Sequence, residues 1–306
     1  MLDVSVILIN YNTSKYTLES IEKVREHTNT KISYKIVVVD NCSETTDFQY
    51  LLKNFPKHED ISLHKTTKNL GFGGGNMYGA DFVSNSKYSL FLNNDAMLLN
   101  DCLSILVTYM EKNPNVGVCT AQNYNEHLEF VPSFDHNKGL RRLLFGRGFL
   151  EKTNPKKYPK QLKEYKNPLV VNWVNGAFLF FRTEAFNEVN GFDTNIFLYW
   201  EEMDICHRLK KKRYQSTLVP EAKILHYQGL STGTFKAISK EAYISYLYVI
   251  KKNFGTLKYQ IIRSYLTIAL SLKKKKRYLV PTVTAKDPMN NSLKHLQKNR
   301  DNEARN

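Results

Sequence analysis

Val4-Ser5-Val6-Ile7-Leu8-Ile9 is a short apolar run, rich in β-branched residues and closed by Asn10-Tyr11-Asn12. That pattern predicts a strand buried on both faces. Leu18, Ile21 and Val24 follow at helical spacing within 14–27. The cycle then repeats. Strands are predicted over 35–39 (ending at Asp40), 61–65, 88–92 (ending at Asn93-Asn94-Asp95) and 116–120, with helices over 46–54, 75–85 and 101–112. Strands alternating with helices predict an α/β fold with a largely parallel sheet covered on both sides.

From 121 to 168 the periodicity fades, and Pro132, Pro155, Pro159 and Pro168 interrupt a lysine-rich stretch. This reads as a long irregular insertion. Order returns with the apolar stretch 177–181, a helix over 201–212, strands near 215–219 and 223–227, and helical segments over 237–253 and 257–273. Residues 281–306 are polar and aperiodic, a frayed tail. The chain thus divides into a catalytic unit over 1–235 (halves 1–120 and 169–235 around the insertion), a helical basic extension over 236–280 and the tail.

Charge sharpens this outline. The formal net charge is +15, but the excess is local. Residues 251–306 carry 14 Lys and Arg against 3 Asp and Glu, and residues 138–166 carry 10 against 2. Two basic segments on a slightly acidic body point to a polyanionic surface or ligand. Nucleic acid is not the expected partner, because the basic residues lie outside the motif-rich body and no nucleic-acid motif appears. Four scattered cysteines (Cys42, Cys102, Cys119, Cys206) suit neither a disulfide scaffold nor a paired-cysteine zinc site. No basic stretch precedes the first apolar run, and no apolar stretch approaches the ~18 residues of a spanning helix. A cytoplasmic setting with reduced thiols is expected.

In open parallel sheets, ligands sit beyond the carboxyl ends of the strands. Polar residues cluster at those ends: Asn10-Tyr11-Asn12, Asp40-Asn41-Cys42-Ser43 and Asn93-Asn94-Asp95. Singly, each is an ordinary turn former; three at equivalent topological places indicate a site. The first strand is followed by no G-x-G-x-x-G, which disfavours a hydride-transfer enzyme of the standard type. The glycines Gly71, Gly73, Gly74 and Gly75 come after the third strand instead. They permit either a tight turn or a close backbone approach to a phosphate-bearing ligand.

The ordered set of motifs carries a resemblance. After Asn10-Tyr11-Asn12 come Val37-Val38-Val39-Asp40-Asn41-x-Ser43, Asn69-Leu70-Gly71-Phe72-Gly73-Gly74-Gly75-Asn76 and Phe91-Leu92-Asn93-Asn94-Asp95. Then follow Trp173-Val174-Asn175-Gly176-Ala177, Gly191-Phe192-Asp193, Phe197-Leu198-Tyr199-Trp200-Glu201-Glu202-Met203-Asp204-Ile205-Cys206-x-Arg208 and a late His226-x-x-Gly229. Over roughly residues 3–255 this resembles a family 2 inverting glycosyltransferase of the GT-A fold, most closely its rhamnosyltransferase-type branch. The implied fold is a Rossmann-like, mixed but mainly parallel sheet flanked by helices, with a C-terminal helical extension.

The resemblance also implies roles. Tyr11 and Asn12 would line the nucleotide pocket, and Asp40 would hydrogen-bond the pyrimidine base. Asn69, Gly73 and Asn76, in the 69–76 segment, would sit near the nucleotide and its sugar. Asn93-Asn94-Asp95 stands where the family has its D-x-D motif, leaving Asp95 as the carboxylate for a metal. A nucleoside diphosphate gains negative charge as it departs, and a hard divalent cation (Mn²⁺ or Mg²⁺) stabilises that charge. His226, after an apolar strand, is the candidate further ligand, or else a packed histidine.

Glu201, Glu202 and Asp204 open a helix whose last turn is basic, which by itself only complements the helix dipole. Their aromatic lead-in places carboxylates beside apolar surface, where desolvation suits one of them to general-base work. Glu202 aligns with the family's base, usually an Asp, and Asp204 is the reserve. Trp173 and Gly176, with Glu201, would bound the acceptor side, although Trp173 also fits a core position. The implied function is transfer of a sugar from a nucleotide-linked donor (dTDP-rhamnose favoured, UDP-linked sugars next) to a glycan or lipid-linked glycan of a bacterial surface polysaccharide. The alternative is a catalytically inactive glycan- or nucleotide-binding scaffold of the same fold. Residues 257–272, followed by Lys273-Lys274-Lys275-Lys276-Arg277, suit a helix lying at the inner face of a membrane, or one packed on the catalytic unit.

Overall fold

The computed structural model describes residues 1–83, 85–227 and 235–299. Gln228 and Gly229 of the His226 motif, and 300–306 of the tail, lie outside the described residues. The first half follows the predicted alternation: β1 (Leu2–Asn10), α1 (Ser14–His27), β2 (Tyr34–Asp40), α2 (Thr45–Asn54), β3 (Ile61–Lys65), α3 (Gly71–Ala80) and β4 (Ser86–Asn93). β1 lies between β2 and β4 and is parallel to both, with Asn10 opposite Asp40 and Ile9 opposite Asn93. The strand order therefore reverses at β1, the kind of place where open α/β sheets bind ligands beyond the strands' carboxyl ends.

Next come β5 (Ala96–Leu98), α4 (Cys102–Lys112), β6 (Val116–Tyr124), β7 (Phe130–Val131), β8 (Phe134–Asp135) and α5 (Leu140–Thr153). They are followed by β9 (Leu169–Val171), β10 (Trp173–Val174), β11 (Phe178–Arg182), α6 (Thr183–Glu188), α7 (Glu201–Lys211) and β12 (Gln215–His226). The main sheet runs β3-β2-β1-β4-β11-β6-β12-β5. β11 is antiparallel to β4 and β6, whereas β12 is parallel to β6. The sheet is thus mixed but mainly parallel. The two strands predicted at 215–219 and 223–227 are one strand, with a register shift between Val219 and Lys223.

α8 (Phe235–Phe254), α9 (Thr256–Ser271) and α10 (Val280–Thr284) complete the chain with three short 3₁₀ turns. One core cluster lies between the sheet and α1 and α4, and a second on the opposite face around Phe91, Phe181 and Phe186. A third joins Ile196 and Met203 of the catalytic unit to Tyr246, Ile250, Ile262 and Leu266 of the C-terminal helices. Among the described residues no helix is long and apolar enough to cross a membrane.

Three expectations change. The glycines 71–75 form the first turns of α3 rather than a loop before it. α3 lies so close to the sheet that a Cβ on Gly79 would come within 2.6 Å of Ile7 Cγ2, so tertiary fit overrides glycine's poor helix propensity. The stretch 121–168 is not wholly irregular, because α5 forms there and kinks at Gly146 (φ 79°). Its Leu140 and Leu143 pack on the third core cluster, a contact that local periodicity cannot reveal. Finally, the tail is ordered to the end of the described residues. Glu241 of α8, buried, accepts hydrogen bonds from Ser292 Oγ at 2.7 Å and Leu293 N at 2.8 Å.

Candidate active site

The ends of β1, β2 and β4 are joined by a buried relay of polar side chains. Asn94 Nδ2 donates to Thr17 Oγ1 (2.8 Å), Thr17 Oγ1 donates to Asn10 Oδ1 (2.8 Å), and Asn10 Nδ2 donates to Asp40 Oδ1 (2.9 Å). Asp40 Oδ2 accepts from Ser43 N at 3.1 Å. Both carboxylate oxygens of Asp40 are occupied and the residue is fully buried. In this structure its carboxylate is engaged by Asn10 and Ser43 at the joined strand ends. Asn94 likewise turns toward α1. Asn10, not singled out as a site residue beforehand, is the hub, and its place at a strand end was the available signal.

Next to this relay, Asn12 adopts a left-handed conformation (φ 57°). Its N–H donates to Ser43 Oγ and its Oδ1 accepts from Glu44 N at 2.7 Å, which clips the β1–α1 turn to the β2–α2 turn. Tyr11 lies half-buried on the same turn. Asn41 donates to Asn69 Oδ1 (3.0 Å) and to Gly71 O (3.1 Å), and accepts from Leu70 N (2.9 Å), so it clasps the start of α3. Asn76 is buried inside α3 and bonds Phe72 O. Gly73 faces the loop after α6, with room for a Cβ only 3.3 Å from Phe192 Cβ and 3.8 Å from Glu201 Cγ.

The β4 end meets β12 directly. Asp95 Oδ1 lies 3.1 Å from His226 Nε2, and Tyr227 N donates to Asp95 O. Among the described residues His226 Nδ1, which is buried, has no hydrogen-bond partner. An aspartate and an imidazole side by side fit two ligand positions of a divalent cation. Among the described residues no group of three or more His, Cys, Asp or Glu side chains supplies a full set, so a cation held here would need ligands from a bound substrate.

Glu202 approaches from the other side. Asn93 N donates to Ala177 O (3.0 Å), which ties the β4 end to the Asn175-Gly176-Ala177 turn. Against that turn lies Glu202, whose Oε1 would be 2.2 Å from a Cβ on Gly176. The segment before it is held at Phe197, whose carbonyl accepts from Phe72 N of α3 at 3.0 Å. Tyr199 and Trp200 then take left-handed φ values of 71° and 72° in succession. Two such bulky residues together mark stored backbone strain immediately before the acids. Burial pushes the Glu202 carboxyl above the usual carboxylate range. Burial, and after it the charge of Glu202, pushes buried Glu201 well above it.

Asp204, the reserve candidate for the base, has a different setting from Glu202. It is fully buried, paired with Arg208 at 2.7 Å and Lys252 at 2.9 Å, and accepts from Asn253 Nδ2 at 2.8 Å. These contacts lock α7 to α8. Trp173, on β10, lies half-buried with its ring 6.5 Å from that of Trp200 and packs on the second and third core clusters.

Residues 5–189 match the model of the family described as "Glycosyl transferase family 2". The chain belongs to this family. It is a glycosyltransferase of the rhamnosyltransferase-like kind, as its relatives indicate. It is 27% identical over 233 residues to the rhamnosyltransferase WbbL of Escherichia coli strain K12, covering 73% of this chain and 83% of the relative. Over a shorter stretch of 118 residues it is 33% identical to the N-acetylglucosaminyl-diphospho-decaprenol L-rhamnosyltransferase of Mycobacterium tuberculosis, covering 35% and 38%. In fold the glycosyltransferase is similar to GalNAc-T7, solved with UDP, GalNAc and Mn²⁺, with a TM-score of 0.64, 14% identity and coverage of 91% of this chain and 54% of that one.

Proposed function

We propose that this glycosyltransferase moves a sugar, with inversion, from dTDP-rhamnose to a lipid-linked glycan acceptor during surface polysaccharide synthesis. UDP-linked hexoses, including galactofuranose, rank next as donors. The observation that carries the reading is the shared turn: Gly176 joins the strand end that bears Asp95 to the carboxylate of Glu202. A donor with its diphosphate at Asp95 and His226 would bring its anomeric carbon toward Glu202. When bound there, a divalent cation (Mn²⁺ or Mg²⁺) would stabilise the charge of the departing nucleoside diphosphate. Glu202 removes the proton of the acceptor hydroxyl, whose oxygen attacks the anomeric carbon opposite the leaving group. Burial raises the proton affinity of Glu202 and so suits it to this task. Tyr11, Asn12 and the Asn41–Asn69 clasp shape the nucleotide end. Residues 1–120 form the donor half, 169–235 the acceptor half, and the C-terminal helices support a peripheral position at the cytoplasmic face of the membrane.

The names of the E. coli and M. tuberculosis relatives support the choice of rhamnose, and the second supports a diphosphate-linked polyprenol acceptor. The test is incubation of purified protein with dTDP-rhamnose or UDP-sugars and a synthetic lipid-diphosphate glycan. The expected result is transfer from dTDP-rhamnose with an inverted anomeric configuration by NMR. Retention of configuration, or absence of transfer from every donor, would count against the reading.

A further inference from the structure

Asp95 and His226, the pair placed for a divalent cation, are framed by one helix. On one side of Asp95, Asn94 Nδ2 donates to Thr13 Oγ1 (2.7 Å) and Thr17 Oγ1 (2.8 Å). On the other side, Ser20 Oγ donates to Ala96 O (2.9 Å). Thr13 immediately precedes α1, and Thr17 and Ser20 lie within it. After His226, Tyr227 N donates to Asp95 O at 3.1 Å, and the Tyr227 hydroxyl donates to Glu19 Oε1 of α1 at 3.0 Å. The half-buried Tyr227 ring lies 5.2 Å from that of Tyr16, one turn earlier on the same helix.

The imidazole needs such support. His226 is the last residue of β12, and its pairing with β5 ends there, opposite Ala96. A metal-binding histidine is ordinarily oriented by a hydrogen bond from its other ring nitrogen. Among the described residues His226 Nδ1 has no such partner, so the backbone beyond the strand must do the orienting. That backbone is pinned at Tyr227. We propose that Tyr227, clamped to Glu19, is a positioning residue that holds His226 toward a divalent cation at Asp95. This rests on the cation role given to that pair in the proposed function. α1 follows the Asn10-Tyr11-Asn12 turn, and Thr17 Oγ1 also donates to Asn10 Oδ1, so the same helix links the nucleotide end to the cation end.

Cation binding, rather than turnover, tests the clamp. Mn²⁺ is titrated into the full chain with dTDP, and with UDP in parallel, and free Mn²⁺ is followed by electron paramagnetic resonance against a protein-free blank. Tyr227→Phe keeps the ring on Tyr16 and removes only the hydroxyl, and Glu19→Ala removes its acceptor. Each should weaken Mn²⁺ binding by ~3–10-fold, the scale of one lost hydrogen bond. The double variant should be no weaker than either alone, because both changes remove one bond. Glu19→Gln keeps an acceptor oxygen and should bind Mn²⁺ nearly as wild type does. Tm and the binding of nucleotide without Mn²⁺ should stay close to wild type throughout. Unchanged Mn²⁺ affinity in Tyr227→Phe, or additive losses in the double variant, would overturn the clamp. A fall in Tm that Glu19→Gln does not rescue would overturn it too, by making the contact structural only. A wild-type chain that binds no Mn²⁺ with either nucleotide would overturn the clamp and the cation role together. Failure of the glycosyltransfer reading would appear separately, as absence of donor turnover while the variants still rank as expected in Mn²⁺ affinity.

Discussion

Gly176 and Glu202 are in such close approach that a methyl group on the glycine would lie 2.2 Å from the glutamate Oε1. The glycine is needed for the room it leaves, and its φ is not in the left-handed range. Through Asn93 N and Ala177 O the same turn is fastened to β4. The carboxylate is therefore tied to the strand that leads to Asp95, an arrangement that would preorganise the two halves of the proposed reaction.

Gly176→Ala should displace Glu202 without unfolding the chain, because a rotamer change relieves the clash. We expect kcat to fall by at least ~10-fold while donor affinity, measured by calorimetric titration of the nucleotide sugar, stays close to wild type. Equal loss of donor affinity would show that the turn serves donor binding instead.

Glu202 and Glu201 give a pH dependence with a definite sign. With Glu202 as the proposed base, transfer would need it ionised, and its proton affinity is raised above the ordinary value of 4.5. The acid limb of the kcat profile should therefore lie above that value. Glu202→Gln should lose at least ~10²-fold in kcat, and the limb with it. Stability runs the other way. The native state holds protons on these acids that the unfolded chain has released, so stability falls as pH rises from the ordinary carboxylate value through the raised one. Glu201→Gln should raise the Tm at pH 7 and flatten that slope; an unchanged Tm would contradict the assigned burial cost.

Asp204→Asn tests the lock between α7 and α8. It leaves Arg208 and Lys252 short of a buried counter-charge, although Asp193 remains 2.7 Å from Lys252. Removing one partner of a buried cluster costs about 3–5 kcal/mol, so urea unfolding should shift strongly. A catalytic defect at full stability would instead place Asp204 in the catalytic site.

The alternation of β1, α1 and β2 was legible because a buried parallel strand and an amphipathic helix write their periods into the chain. α3 was misplaced because five residues that include four glycines read as a turn, and only the packing of Gly75 and Gly79 on β1, β2 and Asn41 makes them helical. α5 and the 3₁₀ turns after α10 were hidden for a different reason. They are held by partners distant in sequence, Tyr265 with Leu143 and Glu241 with Ser292, and leave no local pattern. Asp95 and His226 were each named as metal ligands from the family resemblance, but their 3.1 Å approach to one another is a tertiary contact that no local pattern shows. The bond of Asp40 to Asn10 was not legible either, since a strand-end aspartate looks the same in sequence whatever its side chain meets.

Asp95→Asn and His226→Ala test the cation. Each should weaken binding of the nucleoside diphosphate in Mn²⁺ and blunt the dependence of transfer on divalent ions. The two should be non-additive, because the groups lie 3.1 Å apart. Transfer at full rate after exhaustive chelation would remove the cation from both residues.

The C-terminal helices bear on membrane contact, and the division of α9 into two faces decides how to test it. Tyr259, Ile262, Leu266 and Leu270 are buried against the third core cluster, so deleting α9 would expose core and report only unfolding. The opposite stripe holds Leu257, Ile261, Ile268 and Leu272, with Ile268 63% and Leu272 78% exposed. Lys273 to Arg277 follow at its end, and basic residues near an anionic surface contribute about 1 kcal/mol each. The double variant Ile268→Glu, Leu272→Glu should keep the wild-type Tm and lose sedimentation with phosphatidylserine vesicles. Changing Lys273–Lys276 to Gln should weaken binding chiefly at low salt, where the electrostatic part is largest. Wild-type protein that stays in the supernatant at low ionic strength would assign the stripe to something other than a bilayer; loss of Tm in the double variant would show that the stripe is core.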